Sequence, residues 1–169
     1  MLVLGLGNRL LGDDAAGPLA VAMLAAAPGR RDAVFRDGGT IGLALLPEIE
    51  DAAGFIAVDA ARFGAEPGTV RIFEGEAMDE QLGGRKSSAH EVALGDLMAA
   101  AALAGHLPRQ RALVAVQPAS VALGLEPTPA VAAAIPLMCE AVQDLLLRWQ
   151  RPACAGLAPG EPGEPGECP

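Results

Sequence analysis

MLVLGLGNRLLGDDAAGP, residues 1–18, is the stretch on which the fold turns. Its first six residues form a short apolar run that ends at Gly5, Gly7 and Asn8, as a buried strand does. A helical pattern begins near Asp14, with Pro18 tolerated in its first turn and LAVAMLAAA as its body. A strand that passes through Gly-x-Gly into a helix commonly cradles a nucleotide, because helix N-terminal amides attract phosphate. Here Asp13 and Asp14 stand where phosphates would dock, a direct clash of like charges. The loop reads GLGNRLLG rather than GxGxxG, and Asp32 or Asp37 fits only loosely as the acid expected about twenty residues on.

Downstream, strands and helices alternate. AVFRDGG (33–39) predicts a second strand, TIGLALLPEIEDAA a helical segment started or interrupted by Pro47, and FIAVDA (55–60) a third strand. GTVRIFEG (68–75) predicts a fourth strand, reached by a link too short for a crossover helix and hence antiparallel to the third. EAMDEQLGGRKSS reads as a long polar loop, 90–104 as an Ala-rich helix and ALVAVQP (112–118) as a fifth strand. Thr128 as N-cap and Pro129 at the first helical position open a last helix to about Gln150, with Pro136 as a kink or restart. The expected fold is α/β: a three-layer sandwich with a mostly parallel, five-stranded sheet and helices on both faces. Residues 1–151 form its one domain, and the Pro/Gly-rich 152–169 is expected to be a disordered tail.

Composition narrows the function. Hydrophobic residues make up 51% and aromatics 3%, so the core is aliphatic and platforms for stacking bases are missing. A net charge of −9 argues against nucleic acid as a partner. Cys139, Cys154 and Cys168 form no CxxC pair, which fits a reducing compartment; Cys139, in an apolar helix, reads as a buried inert thiol. No basic leader or apolar run of transmembrane length is evident in the sequence, so a soluble, cytoplasmic protein without a membrane partner is expected.

In a fold of this class, ligands sit outside the carboxyl ends of the strands. Asp13 and Asp14 follow the first strand, Asp37 ends the second and Asp59 the third, while His90 opens a helix on the same side. Asp14, Asp59 and His90 can converge there as an O/N set suited to a divalent transition metal with positions left open. The plainer readings are an N-terminal helix acid for Asp14 and a capping or surface imidazole for His90. Asp59, closing an apolar strand, requires a partner in either case. His106, at a helix end, is expected to serve the last carbonyls of that helix. Ser87 and Ser88 lack a Gly-x-Ser-x-Gly elbow, and Cys139 lies mid-helix, so neither supplies a nucleophile.

GLGNRLLGDDAAGP, DGGT (37–40), VDA (58–60) and SAHE (88–91), in that order, resemble the hydrogenase maturation proteases, the endopeptidases that finish the large subunit of nickel-iron hydrogenases. VQPASVALGLEPTPAV is similar to that family's segment before its last helix, and the likeness spans about residues 1–150. It implies a twisted five-stranded α/β sandwich and removal of a C-terminal extension from a nickel-loaded large-subunit precursor. Catalytic and metal-contacting positions would fall on Asp14, Asp59 and His90, with Asp13, Asp37, Gly38 and Thr40 engaging substrate. Nickel would be presented by the precursor, another divalent metal substituting in isolation, and whether it acts in catalysis or only in docking stays open. Where the family often has Gly after the second acid, this chain has Ala15 and Ala16 before Gly17. A monomer is expected, since no heptad pattern stands out. The alternatives are a non-catalytic, nickel-dependent docking chaperone for the precursor and a small nucleotide-binding module.

Overall fold

The structure, a computed structural model, describes residues 1–27, 33–39, 43–84 and 89–150; for residues 43 and 89–92 it describes the backbone alone. Thr40, Ser87, Ser88, Cys154, Cys168 and the tail from 152 lie outside the described residues.

Five strands form one sheet in the order β2-β1-β3-β5-β4. They are β1 (Leu2–Leu6), β2 (Val34–Gly39), β3 (Gly54–Ala60), β4 (Val70–Glu74) and β5 (Gln110–Val116). β1 pairs with β2 and β3, and β3 with β5, all in parallel; β4 pairs antiparallel with β5. Side chains alternate across the central strands. Val3, Ile56, Val58, Val114 and Val116 face one core, and Leu2, Leu4, Leu6, Phe55, Ala57 and Leu113 the other. Helices cover both faces, which is why β1 and β3 read as unbroken apolar runs rather than as alternation.

On the first face lie α1 (Ala16–Ala26) and α5 (Pro129–Gln150). α5 buries Val131, Ile135, Met138, Val142 and Leu145, a stripe spaced three or four residues apart. It is helical throughout, with Pro136 inside it. Contrary to the sequence-based expectation, this helix is long and apolar enough to cross a membrane, but its stripe packs on the sheet as a core helix does. Cys139 is buried on it, its Sγ 3.5 Å from the Ala20 carbonyl oxygen. Burial, reinforced by the neighbouring Glu140, pushes the thiol pKa up, so the thiol stays protonated and unreactive.

The second face carries α2 (Leu46–Glu50), α3 (Glu76–Gly83) and α4 (Ala89–Leu103). The stretch read as a polar loop contains α3, which seats Met78 and Leu82, one turn apart, in the core. Met78 and Leu82 are the only large apolar residues among these thirteen, a faint stripe on a helix whose outer face is charged. α4 ends in a Schellman motif: Gly105, with φ +76°, lets its own N–H reach the Ala102 carbonyl and the His106 N–H reach that of Ala101. His106 thus serves a carbonyl of its helix end, through its backbone N–H.

β4 runs opposite to β3, as its short link requires, yet β5 lies between them. The buried strand β5 needs both faces and both edges covered, whereas VRIFE, half exposed, suits a sheet edge. Arg71 there lies over the Phe63 ring, 4.8 Å from its centroid, so a cation marks the open edge.

Candidate active site

The chain leaves β1 for β2 on one side and returns to β3 on the other, so the strand order reverses between β1 and β3. In open α/β sheets a ligand-binding crevice lies outside the carboxyl ends of the strands at such a switch point. Two buried acids flank that crevice. Asp14 lies in the short 3-10 turn Gly12–Ala15 after β1, and Asp59 is the penultimate residue of β3.

Close backbone approach brings the two segments together. A Cβ on Gly17 would collide with the carbonyl oxygens of Leu6 and Val58, so the first turn of α1 rests directly on the ends of β1 and β3. Gly5 makes room in the same way, since its Cβ would lie 2.6 Å from the Gly17 carbonyl oxygen. Gly7, at φ +128°, turns the chain out of β1 where any side chain would strike the Asp14 carbonyl. The Ala15-Ala16 departure from the family pattern falls inside buried, regular turn and helix, where alanine fits.

Backbone N–H groups aim the two carboxylates. Asp14 Oδ2 accepts from Asn8 at 2.7 Å, and Asp59 Oδ1 accepts from Ala60 at 2.8 Å. Beyond β3 the chain is held by Gln117, whose Oε1 accepts from the N–H groups of Phe63 at 2.9 Å and Ala65 at 3.3 Å. Gln117 is buried at the end of β5; in the sequence it stands only as part of VQPASVALGLEPTPAV, with no role assigned to it.

Asp13 is used differently from its neighbour. It is buried, and its Oδ2 accepts from the N–H groups of Ala119 at 2.8 Å and Ser120 at 2.9 Å and from Thr128 Oγ1 at 3.1 Å. Its Oδ1 accepts from the Thr128 N–H at 2.6 Å. Burial pushes this carboxyl pKa up, but the donors from Ser120, Thr128 and Ala119 outweigh it and hold the pKa below the usual 3.8. Its carboxylate therefore ties the β5–α5 loop to the β1–α1 loop, and any bearing on substrate passes through those loops. Thr128, expected as an N-cap, does accept the Ala132 N–H on its carbonyl at 2.8 Å, while its hydroxyl goes to Asp13.

Asp37 sits at the outer end of β2. Its Oδ1 accepts from the Gly39 N–H at 3.0 Å, and its Oδ2 from Arg9 Nε at 3.2 Å. Arg9 Nη2 also reaches the Pro18 carbonyl at 3.1 Å. Gly7, Asn8, Arg9, Asp37 and Gly39 line an open cleft of about 240 Å³ beside the Asp14 turn. Gly38 is buried over Leu4, where a Cβ would lie 2.8 Å from its Cδ1, so a side chain there would push into the core.

His90 is the second residue of α4, and its side chain lies outside the described atoms. Its backbone position follows from topology. β4 ends against the start of β5, with the Gly75 N–H on the Arg111 carbonyl at the amino edge of the parallel strands. α3 climbs from that edge, and α4, about 22 Å long at 1.5 Å per residue, descends to it again before β5. The start of α4 is thus at the carboxyl edge, the end of the sheet that carries Asp14 and Asp59. Among the described residues, no three His, Cys, Asp or Glu side chains form a metal-binding group. The two acids alone supply hard oxygen donors, to which a third ligand would have to come from the start of α4 or from the substrate.

A sequence model of the hydrogenase maturation proteases matches residues 21–145. The hydrogenase expression/formation protein HupD of Rhodobacter capsulatus is 36% identical over 148 residues, covering 86% of this chain and 70% of HupD. The hydrogenase 2 maturation protease of Escherichia coli is 37% identical over 133 residues, covering 76% of this chain and 80% of that protein. The solved structure of the hydrogenase maturating endopeptidase HybD from E. coli superposes with a TM-score of 0.83 at 32% identity, over 88% of this chain and 93% of HybD. The chain belongs to the hydrogenase maturation protease family and is an endopeptidase, a hydrolase, of hydrogenase maturation.

Proposed function

We propose that this endopeptidase removes the C-terminal extension of a nickel-iron hydrogenase large-subunit precursor once that precursor carries nickel. The observation that supports the reading most is the pair of buried carboxylates, Asp14 and Asp59, held by backbone donors at the switch point of the sheet. Buried carboxylates need compensation by donors or charge, and a divalent cation brought by the substrate would add to it. Two carboxylates with an imidazole from His90 suit nickel, another divalent metal substituting in isolation. In this reading Asp14, Asp59 and His90 contact the precursor's nickel beside the scissile bond, which polarises the carbonyl, and a carboxylate takes the proton of the attacking water. Asp37 and Gly38, with Thr40, shape the flank that receives the chain. Asp13 supports the same surface from below. Loading becomes a condition of cleavage, because the metal's share of the binding energy exists only in loaded precursor.

The net charge of −9 favours a protein partner over a nucleic acid, and the reading includes a monomer acting in the cytoplasm. Intact-mass spectrometry on the cognate precursor, nickel-loaded and nickel-free, tests the proposal. Loss of a C-terminal peptide only from the loaded sample is expected. Complex formation with no change in mass would instead make the protein a docking chaperone. Cleavage of both samples alike would remove the nickel requirement.

A further inference from the structure

The segment VALGLEP (121–127) has no part in the chemistry above, yet it is held with unusual care. Gly124 forms an isolated parallel bridge with Leu11; its N–H donates to the Leu10 carbonyl at 3.0 Å and its carbonyl accepts from Gly12 at 2.9 Å. Asp13 anchors one end of the loop through Ala119 and Ser120 and the other through Thr128. On this fixed frame four apolar side chains face solvent: Leu123 at 87% exposure, Leu125 at 77%, Leu10 at 56% and Val121 at 38%. The other exposed large apolar residues among those described are scattered over several elements, as single ones ordinarily are.

Four apolar side chains gathered on two loops that are bonded to each other form a patch of the kind that marks an interaction site. Rigidity strengthens the case, since a surface fixed before binding loses little freedom when a partner arrives. The occupant follows from continuity. Leu10 and Leu11 lead directly into Gly12, Asp13 and Asp14, so a body resting on the patch extends over the Asp14 turn. VALGLEP holds no cation and only one acid, Glu126, and Arg9, next to Leu10, is paired with Asp37, which suits an apolar contact rather than a charged one.

We infer that Leu10, Val121, Leu123 and Leu125 form the docking platform for an apolar surface of the precursor, seating it so that its scissile segment meets Asp14 and Asp59. The inference rests on the protease reading, and its test separates the two. Leu123→Asp and Leu125→Asp, singly and together, are compared with the wild type in cleavage of nickel-loaded precursor and in precursor binding by biolayer interferometry. Because both side chains lie outside the core, the thermal midpoint should stay where it is. The double variant should raise KM and the dissociation constant at least about tenfold with kcat unchanged, about 1.4 kcal/mol of lost binding. Wild-type cleavage with unaltered KM in the variants would overturn the platform and leave the protease reading intact. Leucine-dependent binding without any cleavage by the wild type would overturn the protease reading and keep the platform. A wild-type dimer that the variants dissolve in light scattering, with KM unmoved, would assign the patch to a second copy of this chain and also overturn the proposal.

Discussion

Two loop junctions flank the candidate site, and both are built on an aspartate. On one side Asp13 is buried and accepts four hydrogen bonds, from Ala119, Ser120 and Thr128, that join the β1–α1 and β5–α5 loops. On the other side Asp37 is half exposed and joins β2 to the same β1–α1 loop through Arg9. A buried carboxylate saturated by donors is costly to disturb, because every donor would be left unpaired, at about 1–3 kcal/mol each. An exposed ion pair is worth about 0–1 kcal/mol. One junction is therefore a fixed frame, and the other can open at little cost. Between them lies Asp14, buried like Asp13, its Oδ2 accepting at 2.7 Å from the Asn8 N–H of its own loop. Burial by itself does not tell the two acids apart; what marks Asp13 is that its donors come from the distant β5–α5 loop.

The largest effect expected lies between the junctions. Asp14→Asn and Asp59→Asn should each lower precursor cleavage by about 10²–10⁴-fold, read by intact mass, with circular dichroism unchanged. Near-normal cleavage by either variant would detach that residue from the chemistry. Next comes the frame. The folded-state pKa of Asp13 lies below its unfolded value, so its contribution is present above about pH 4 and is lost as the pH falls through the folded pKa. Urea midpoints measured from pH 6 to pH 3 should fall more steeply for the wild type than for Asp13→Asn. Parallel curves would mean that Asp13 does not carry the junction. The smallest effect belongs to the open side, where Arg9→Ala should cost under about 1 kcal/mol of stability in the same titration. A loss comparable to that from Asp13 would erase the contrast between the two junctions.

Much of this was legible in the sequence, for definite reasons. The β1–loop–α1 unit is short-range: an apolar run, three close glycines and a helix body state it completely within 26 residues. The acids at strand ends were legible too, since the carboxyl edge of a parallel sheet follows from the alternation of elements. α3 was not, because Met78 and Leu82 give only two large apolar points on a charged helix. Nor was the place of β4, because the pairing of distant strands depends on which edge remains open after β5 has inserted. The membrane-length apolar character of α5 is not legible as a run, because Glu140, Asp144 and Arg148 interrupt it; it emerges only as a helix average. The distinction between Asp13 and Asp14 lay beyond the sequence altogether. The donors that claim Asp13 stand 106 to 115 residues away, and three of them are backbone N–H groups that any residue but proline could supply.

That distinction is tested most directly by urea denaturation of Asp13→Asn and Asp14→Asn side by side at pH 7. In Asp13→Asn the new amide nitrogen must face N–H donors wherever it points, and a loss of about 3 kcal/mol is expected. In Asp14→Asn the remaining amide oxygen still accepts from Asn8, so stability should stay within about 1 kcal/mol of the wild type. Equal losses, or a larger loss in Asp14→Asn, would contradict the assignment of one acid to the frame and the other to the site.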